Sequence, residues 1–182
     1  MTHSKIIFLD VDGVINVGQD DYQFFNEQCL EQLRWLINHT GAKVVISSSW
    51  REGDLEKTKK HFPIWLRKHI IGETVRGYHN VVEGSSLPIV RGNEIKHWVD
   101  RNLRYPWHVR PSLTKEYSEY NDDGWFVKMR ANVVNVDYHY VIFDDDSDML
   151  LEQAPHFVQT DPEVGLTHDN VFDAQRILTT LA

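Results

Sequence analysis

The sequence predicts an α/β fold, a parallel sheet lying between helices. Three observations predict it. Short apolar runs of strand length alternate with stretches whose apolar residues fall at helical spacing. Three of those runs, Ile6–Leu9, Ala42–Ile46 and Tyr138–Phe143, end directly on a polar residue: Asp10, Ser47 and Asp144. Continuous apolar runs suit strands buried on both faces, as in a parallel sheet, and such sheets bind ligands beyond the carboxyl ends of their strands. The three polar residues are therefore expected at one edge.

The elements follow in order. Ile6–Leu9 is the first strand, and it leads into Asp10-Val11-Asp12-Gly13-Val14. Residues 16–21 are polar and read as a loop. Asn26 is expected to cap a helix reaching about Asn38, with Cys29, Leu33, Leu36 and Ile37 on its apolar stripe and Gly41 as its stop. Ala42–Ile46 is the second strand and runs into Ser47-Ser48-Ser49-Trp50-Arg51. A helix over 54–61 is interrupted by Pro63, a short helix follows over 64–68, and residues 69–74 make a third strand ending at Gly72. Residues 77–92, with Gly77, Gly84, Pro88 and Gly92, read as a loop. Asn93 is expected to cap a helix with Ile95, Trp98 and Val99 on one face. After the strand Tyr138–Phe143 comes Asp144-Asp145-Asp146-Ser147-Asp148, then a short strand over 157–160. Thr167 caps a last helix that turns Val171, Ala174, Leu178 and Leu181 inward.

Residues 103–137 break this alternation and read as an insertion on a single domain spanning residues 1–182, with a β-hairpin expected over 124–136. Residues 101–115 hold no acid. They interleave Arg101, Arg104, Arg110 and Lys115 with Tyr105, Trp107 and His108, a composition suited to bases and phosphates. Packing of the aromatics onto the domain is the alternative.

The chain has 27 acidic against 19 basic residues, net charge −8, which argues against general coating of nucleic acid but not against a local basic patch. Its single cysteine, Cys29, cannot form an internal disulfide, so a reducing, cytoplasmic setting is expected. Cys29 reads as a buried structural thiol. No signal peptide and no run of membrane-spanning length stands out.

Chemistry concentrates at the expected edge. Asp10, Asp12, Asp144, Asp145 and Asp148 would crowd together there, and crowded carboxylates need a cation or a shared proton. A hard divalent ion with oxygen ligands answers that need, and Mg²⁺ is the usual choice beside phosphate. Lys96 adds a positive charge. Ser47 offers a hydroxyl and an adjacent backbone N–H to a phosphate oxygen. Carboxylate, metal, lysine and hydroxyl together suit phosphoryl transfer through an attacking carboxylate.

These residues resemble the four ordered motifs of the haloacid dehalogenase (HAD) superfamily of phosphatases: Asp10-Val11-Asp12-Gly13-Val14, then Ser47, then Lys96, then Asp144-Asp145 with Asp148. The resemblance implies a Rossmann-like HAD fold with a small or absent cap and an insertion before the fourth motif. It implies Asp10 as nucleophile and Asp12 as general acid, then base. Mg²⁺ would be held by Asp10, the Asp12 carbonyl and Asp144 or Asp145. Asp144 is preferred because it follows the strand directly. Gly13 would let backbone approach the phosphate, and Asp148 would orient Lys96 or a metal-bound water.

Ser47-Ser48-Ser49-Trp50-Arg51, Arg91-Gly92-Asn93-Glu94-Ile95-Lys96 and Gly165-Leu166-Thr167 are similar to HAD domains of RNA-repair proteins and of polynucleotide kinase-phosphatases. That likeness implies a nucleic-acid or nucleotide phosphate as substrate. A P-loop is absent, so any kinase or ligase partner would be a separate chain. Ser48 is a second candidate phosphate contact. Arg51 either grips the phosphate or pairs with Glu52 or Asp54, and Trp50 reads as core. The competing functions are a phosphatase of another small metabolite and a HAD-fold binding module without catalysis.

Overall fold

The computed structural model describes residues 4–18, 25–82, 85–88, 90–104, 120–121, 124–125 and 138–179. Five apolar runs form one all-parallel sheet: β1 (Ser4–Leu9), β2 (Lys43–Ile46), β3 (Ile70–Glu73), β8 (Tyr138–Asp144) and β9 (Phe157–Gln159). Their order is β3-β2-β1-β8-β9, with β1 in the centre. Two small antiparallel ribbons, β4 (Tyr78–Val82) with β5 (Ser85–Pro88) and β6 (Tyr120–Asn121) with β7 (Gly124–Trp125), stand outside it.

Side chains alternate across β1, and each face feeds its own core. Ile7 and Leu9 pack with Val44, Ile46, Val141 and Phe143 beneath α1 (Glu27–Thr40) and α5 (His168–Thr179). Ile6 and Phe8 pack with Val45 and Ile142 beneath Ile95 and Val99 of α4 (Arg91–Val99). The expected sandwich is therefore present, with helices on both faces. Among the described residues, no helix is long and apolar enough to cross a membrane.

The local signals for α1 hold. The Asn26 side chain accepts from the N–H groups of Gln28 and Cys29, and Gly41 closes the helix in the left-handed region at φ 71°. Cys29 is buried, as expected, and burial pushes its thiol pKa up. The short helices α2 (Leu55–Lys60) and α3 (Ile64–Arg67) flank Pro63. Thr167 Oγ1 accepts from the Asn170 N–H and so caps α5. Leu181 lies outside the described residues.

Three expectations change. Residues 77–92 are not all loop, because β4 and β5 pair there. In the expected 124–136 hairpin region, the described ladder pairs Tyr120 with Trp125 and Asn121 with Gly124; residues 126–137 lie outside the described residues, as do residues 105–115 of the basic aromatic stretch. Helix α4 begins at Arg91, before Asn93. Its cap comes from a distant loop: Asp148 Oδ2 accepts from the Arg91 N–H at 2.9 Å, and the Asp148 carbonyl accepts from the Gly92 N–H at 3.3 Å.

Candidate active site

Register places the site. Leu9 is level with Ile46 of β2 and with Phe143 of β8, so Asp10, Ser47 and Asp144 come next on three adjacent strands. The Asp10 N–H donates to the Phe143 carbonyl at 3.0 Å, and the Ser47 N–H donates to the Leu9 carbonyl at 2.8 Å. Ser47 therefore has its own N–H committed to the sheet, and its buried Oγ accepts from the Thr74 hydroxyl at 3.4 Å. The Ser48 side chain favours the ionised form of Asp10, and its Oγ accepts from the Trp50 backbone N–H at 3.3 Å.

One carboxylate oxygen each from Asp10, Asp144 and Asp145 lies within 4.8 Å of the others. Burial raises the Asp10 pKa to about 6, with Arg91 pulling the other way. Burial and the neighbouring Asp10 raise Asp144 to about 8. Burial also raises Asp145, which is half-exposed. Asp144 Oδ1 accepts from the Asp146 N–H at 3.1 Å, while the buried Oδ2 accepts no hydrogen bond. Three hard oxygen donors, one of them a buried orphan, fit a hard divalent cation such as Mg²⁺. Asp144 and Asp145 both belong to this set. Gly13 sits against it at φ 70°, and a Cβ there would fall 2.5 Å from the Asp145 carboxyl carbon.

The positive charge over this cluster is Arg91, not Lys96. Arg91 Nε lies 3.5 Å from Asp144 Oδ2, its Nη2 lies 3.9 Å from Asp10 Oδ1, and its Nη1 donates to the Ser47 carbonyl. Lys96 points elsewhere, with Nζ 3.1 Å from Glu152 and 3.6 Å from Asp100. Helix geometry is the reason. At 100° per residue, five positions rotate a side chain well off the face that Arg91 occupies. Ile95, not Lys96, is directed into the sheet, fully buried. Asp148 is likewise not turned to Lys96; it caps α4 and so fixes where Arg91 enters. Arg91 stands in the Arg91-Gly92-Asn93-Glu94-Ile95-Lys96 stretch, but with the helix expected to start at Asn93 nothing in the sequence marked it as the cation over the cluster.

Asp12 is held by three side chains. Trp50 Nε1 lies 2.9 and 3.1 Å from its two carboxylate oxygens, Asn16 Nδ2 donates at 2.9 Å and Ser49 Oγ at 3.3 Å. Trp50 does pack on the core, with its ring 5.5 Å from that of Phe25. Its indole N–H, however, serves Asp12. No sequence signal separates this tryptophan from an ordinary core residue.

Arg51 is partnered by Glu94, Ser48 and Thr74, not by Glu52 or Asp54. It is buried and paired with Glu94 at 2.8 Å. It also donates to the Ser48 carbonyl at 2.5 Å and to both the carbonyl and the hydroxyl of Thr74. Burial lowers the Arg51 pKa, and Glu94 restores part of it. The other Glu94 oxygen accepts from the Gly77 N–H at 3.0 Å. Arg51 thus ties the loop after β2 to the end of β3 and to α4.

A parallel sheet with carboxylates massed at the end of its central strands, a serine on the neighbouring strand and a helix-borne cation above them defines a HAD-type domain. The family model described as the HAD domain in Swiss Army Knife RNA repair proteins matches residues 6–133, and the chain belongs to that family. The match takes in Asp10, Asp12, Ser47 and Arg91 and stops short of Asp144. No curated protein and no solved structure matches the chain.

Proposed function

We propose that this domain is a Mg²⁺-dependent phosphomonoesterase that works through an aspartyl-phosphate on Asp10, with a nucleic-acid end or nucleotide phosphate as substrate. The observation that carries the reading is the cluster of Asp10, Asp144 and Asp145 oxygens within 4.8 Å, with Arg91 beside it. A cation held by Asp10, the Asp12 carbonyl, Asp144 and Asp145 would neutralise phosphoryl charge and keep Asp10 ionised.

A carboxylate oxygen of Asp10 attacks phosphorus, and the bond to the leaving oxygen breaks as Asp12 gives that oxygen its proton. Asp12 then takes a proton from water, whose oxygen attacks the phosphorus of the acyl phosphate. Inorganic phosphate leaves and the Asp10 carboxylate is restored. Arg91 and the Ser47 hydroxyl donate to the non-bridging oxygens, where charge is concentrated. The nucleic-acid substrate rests on the family, a HAD domain of RNA repair proteins.

Phosphate release from an aryl phosphate with Mg²⁺ tests the chemistry. Asp10→Asn should abolish it while leaving the thermal melt cooperative. Full activity in that variant overturns the mechanism, and no activity in the parent favours a binding module. Comparing 3′-phosphorylated RNA and DNA oligonucleotides with 5′-nucleotides and sugar phosphates tests the substrate. A preference for sugar phosphates would replace the nucleic-acid reading with a metabolite phosphatase.

A further inference from the structure

The charge of the chain is unevenly placed. Between Leu55 and Lys68 stand five basic residues and one acid, a local charge of +4 on a chain of −8, so all the rest carries −12. This segment is α2, Pro63 and α3. It runs the height of the sheet beside the edge strand β3. Near its start, the Thr58 hydroxyl donates to Glu73 at 2.5 Å, at the carboxyl end of β3. At its finish, Lys68 adjoins His69, whose carbonyl accepts from the Val44 N–H near the start of β2.

Its outer face is built for an anion that extends. A cleft of about 460 Å³ is lined by Lys59, Lys60, Arg67 and Lys68 together with Glu56 and Ile64. Glu56 is taken up by Lys59 at 2.8 Å. Lys57, Lys60 and Lys68 are exposed, and none of them forms an ion pair among the described residues. Arg67 is braced by the carbonyls of Phe62 and Lys60, at 2.7 and 3.0 Å. Ile64 stands 81% exposed among these cations, and Arg34 lies over the Trp65 ring at 4.4 Å. Lys43 continues the positive charge to the lower edge, where it and Lys68 both act on His69.

We propose that the α2–α3 flank is a docking track for the strand of a nucleic acid whose terminal phosphate sits at Asp10. This rests on the functional reading above and extends it to the polymer. The exposed lysines Lys57, Lys60 and Lys68 answer a phosphodiester backbone, and the exposed Ile64 between them offers apolar contact to a base. The track starts beside the site: Trp50, whose indole N–H donates to Asp12, meets the ring of His61 edge-on at 5.8 Å, and His61 is held by Glu52 at 2.5 Å.

The test is binding of a short 3′-phosphorylated RNA oligonucleotide in EDTA, where nothing turns over, read by fluorescence anisotropy across about 50–200 mM salt. Neutralising two contacts in Lys60→Ala/Lys68→Ala should reduce the salt slope by about 1.4 and weaken binding by about 25-fold near 0.1 M salt. Glu56→Gln should strengthen binding, a change of sign that damage to the fold cannot imitate. Aryl-phosphate turnover should be unchanged in all of these variants. Equal affinity and slope in parent and double variant overturn the track. Competition by polyglutamate as effective as by unlabelled oligonucleotide overturns the nucleic-acid assignment in favour of an acidic protein. Failure of the parent to hydrolyse an aryl phosphate refutes the catalytic reading separately, because the binding assay does not depend on turnover.

Discussion

Glu94→Ala is the perturbation with the largest consequence outside the carboxylate cluster. The Glu94 and Arg51 side chains are 8% and 5% exposed and meet at 2.8 Å. Removing the carboxylate leaves a guanidinium buried with only neutral acceptors, the carbonyls of Ser48 and Thr74 and the Thr74 hydroxyl. It also frees the Gly77 N–H. Breaking one side of a buried pair costs about 3–5 kcal/mol, against a total stability of about 5–15 kcal/mol for a domain. At about 2–4 °C per kcal/mol for a chain of this size, the melting temperature should fall by about 6–20 °C. Thermal and urea melts followed by circular dichroism measure it. The double variant Arg51→Met/Glu94→Leu should recover most of the loss, because it leaves no charge stranded. A Glu94→Ala melt within about 2 °C of the parent would refute the reasoning, since a stranded buried charge of this kind cannot be that cheap.

Other expectations can be checked with the same protein. Arg91→Ala should lower kcat/KM on an aryl phosphate by at least about tenfold, while Lys96→Ala leaves it within about twofold; the reverse result would restore Lys96 as the site cation. Trp50→Phe keeps an aromatic ring against Phe25 and removes one charge-assisted donor to Asp12, so kcat should fall about 10- to 100-fold with little change in KM. An unchanged kcat and pH profile in Trp50→Phe would show that the indole N–H does not position the acid. Folded Asp10 and Asp144 have pKa values of about 6 and about 8, above the unfolded value of about 3.9. In the metal-free protein, the stability they contribute is therefore full below about pH 3.9 and lost as pH rises through those folded values. A Mg²⁺ ion held by these carboxylates would compete with the same protons, so any rise in Tm on adding Mg²⁺ should be larger near pH 8 than near pH 5; a rise independent of pH contradicts this linkage.

What could be read in the chain is what is encoded locally. A strand buried on both faces must be an apolar run, so Asp10, Ser47 and Asp144 were visible as the residues on which such runs end. Asn26 and Gly41 mark the ends of α1 within a residue or two of where they act. The start of α4 was not visible in this way. Its cap is Asp148, brought from another loop, so the nearest capping type in the sequence, Asn93, was a decoy. Helix phase was the second difficulty. Lys96 has the expected residue type and place in the motif order, but which way it points depends on Ile95 and Val99 facing the sheet. The β4–β5 ribbon escaped because it stands outside the main sheet, so its pairing is not announced by a long apolar run.

Trp50 and Arg51 belong together. They are consecutive, and each reaches a different partner: Trp50 donates to Asp12 on the loop after β1, and Arg51 grips Glu94 on α4. Glu94 is three residues after Arg91, so the two share a face of that helix. Fixing Glu94 therefore fixes the rotation of α4 about its axis, and with it the position of Arg91 over Asp10 and Asp144. The loop after β2 thus touches both the Asp12 carboxylate and the helix that carries Arg91. Arg51 thus has a buried pairing with Glu94, and Trp50 adds a hydrogen bond to Asp12 to its place on the core. If this coupling holds, Arg51→Met/Glu94→Leu should regain the melting temperature yet remain slow in turnover, because the hydrophobic pair restores stability without the directional bonds that hold Arg91 in place. Recovery of both stability and rate would mean that packing of Ile95 and Val99 alone sets the helix, and that the ion pair is dispensable to the site.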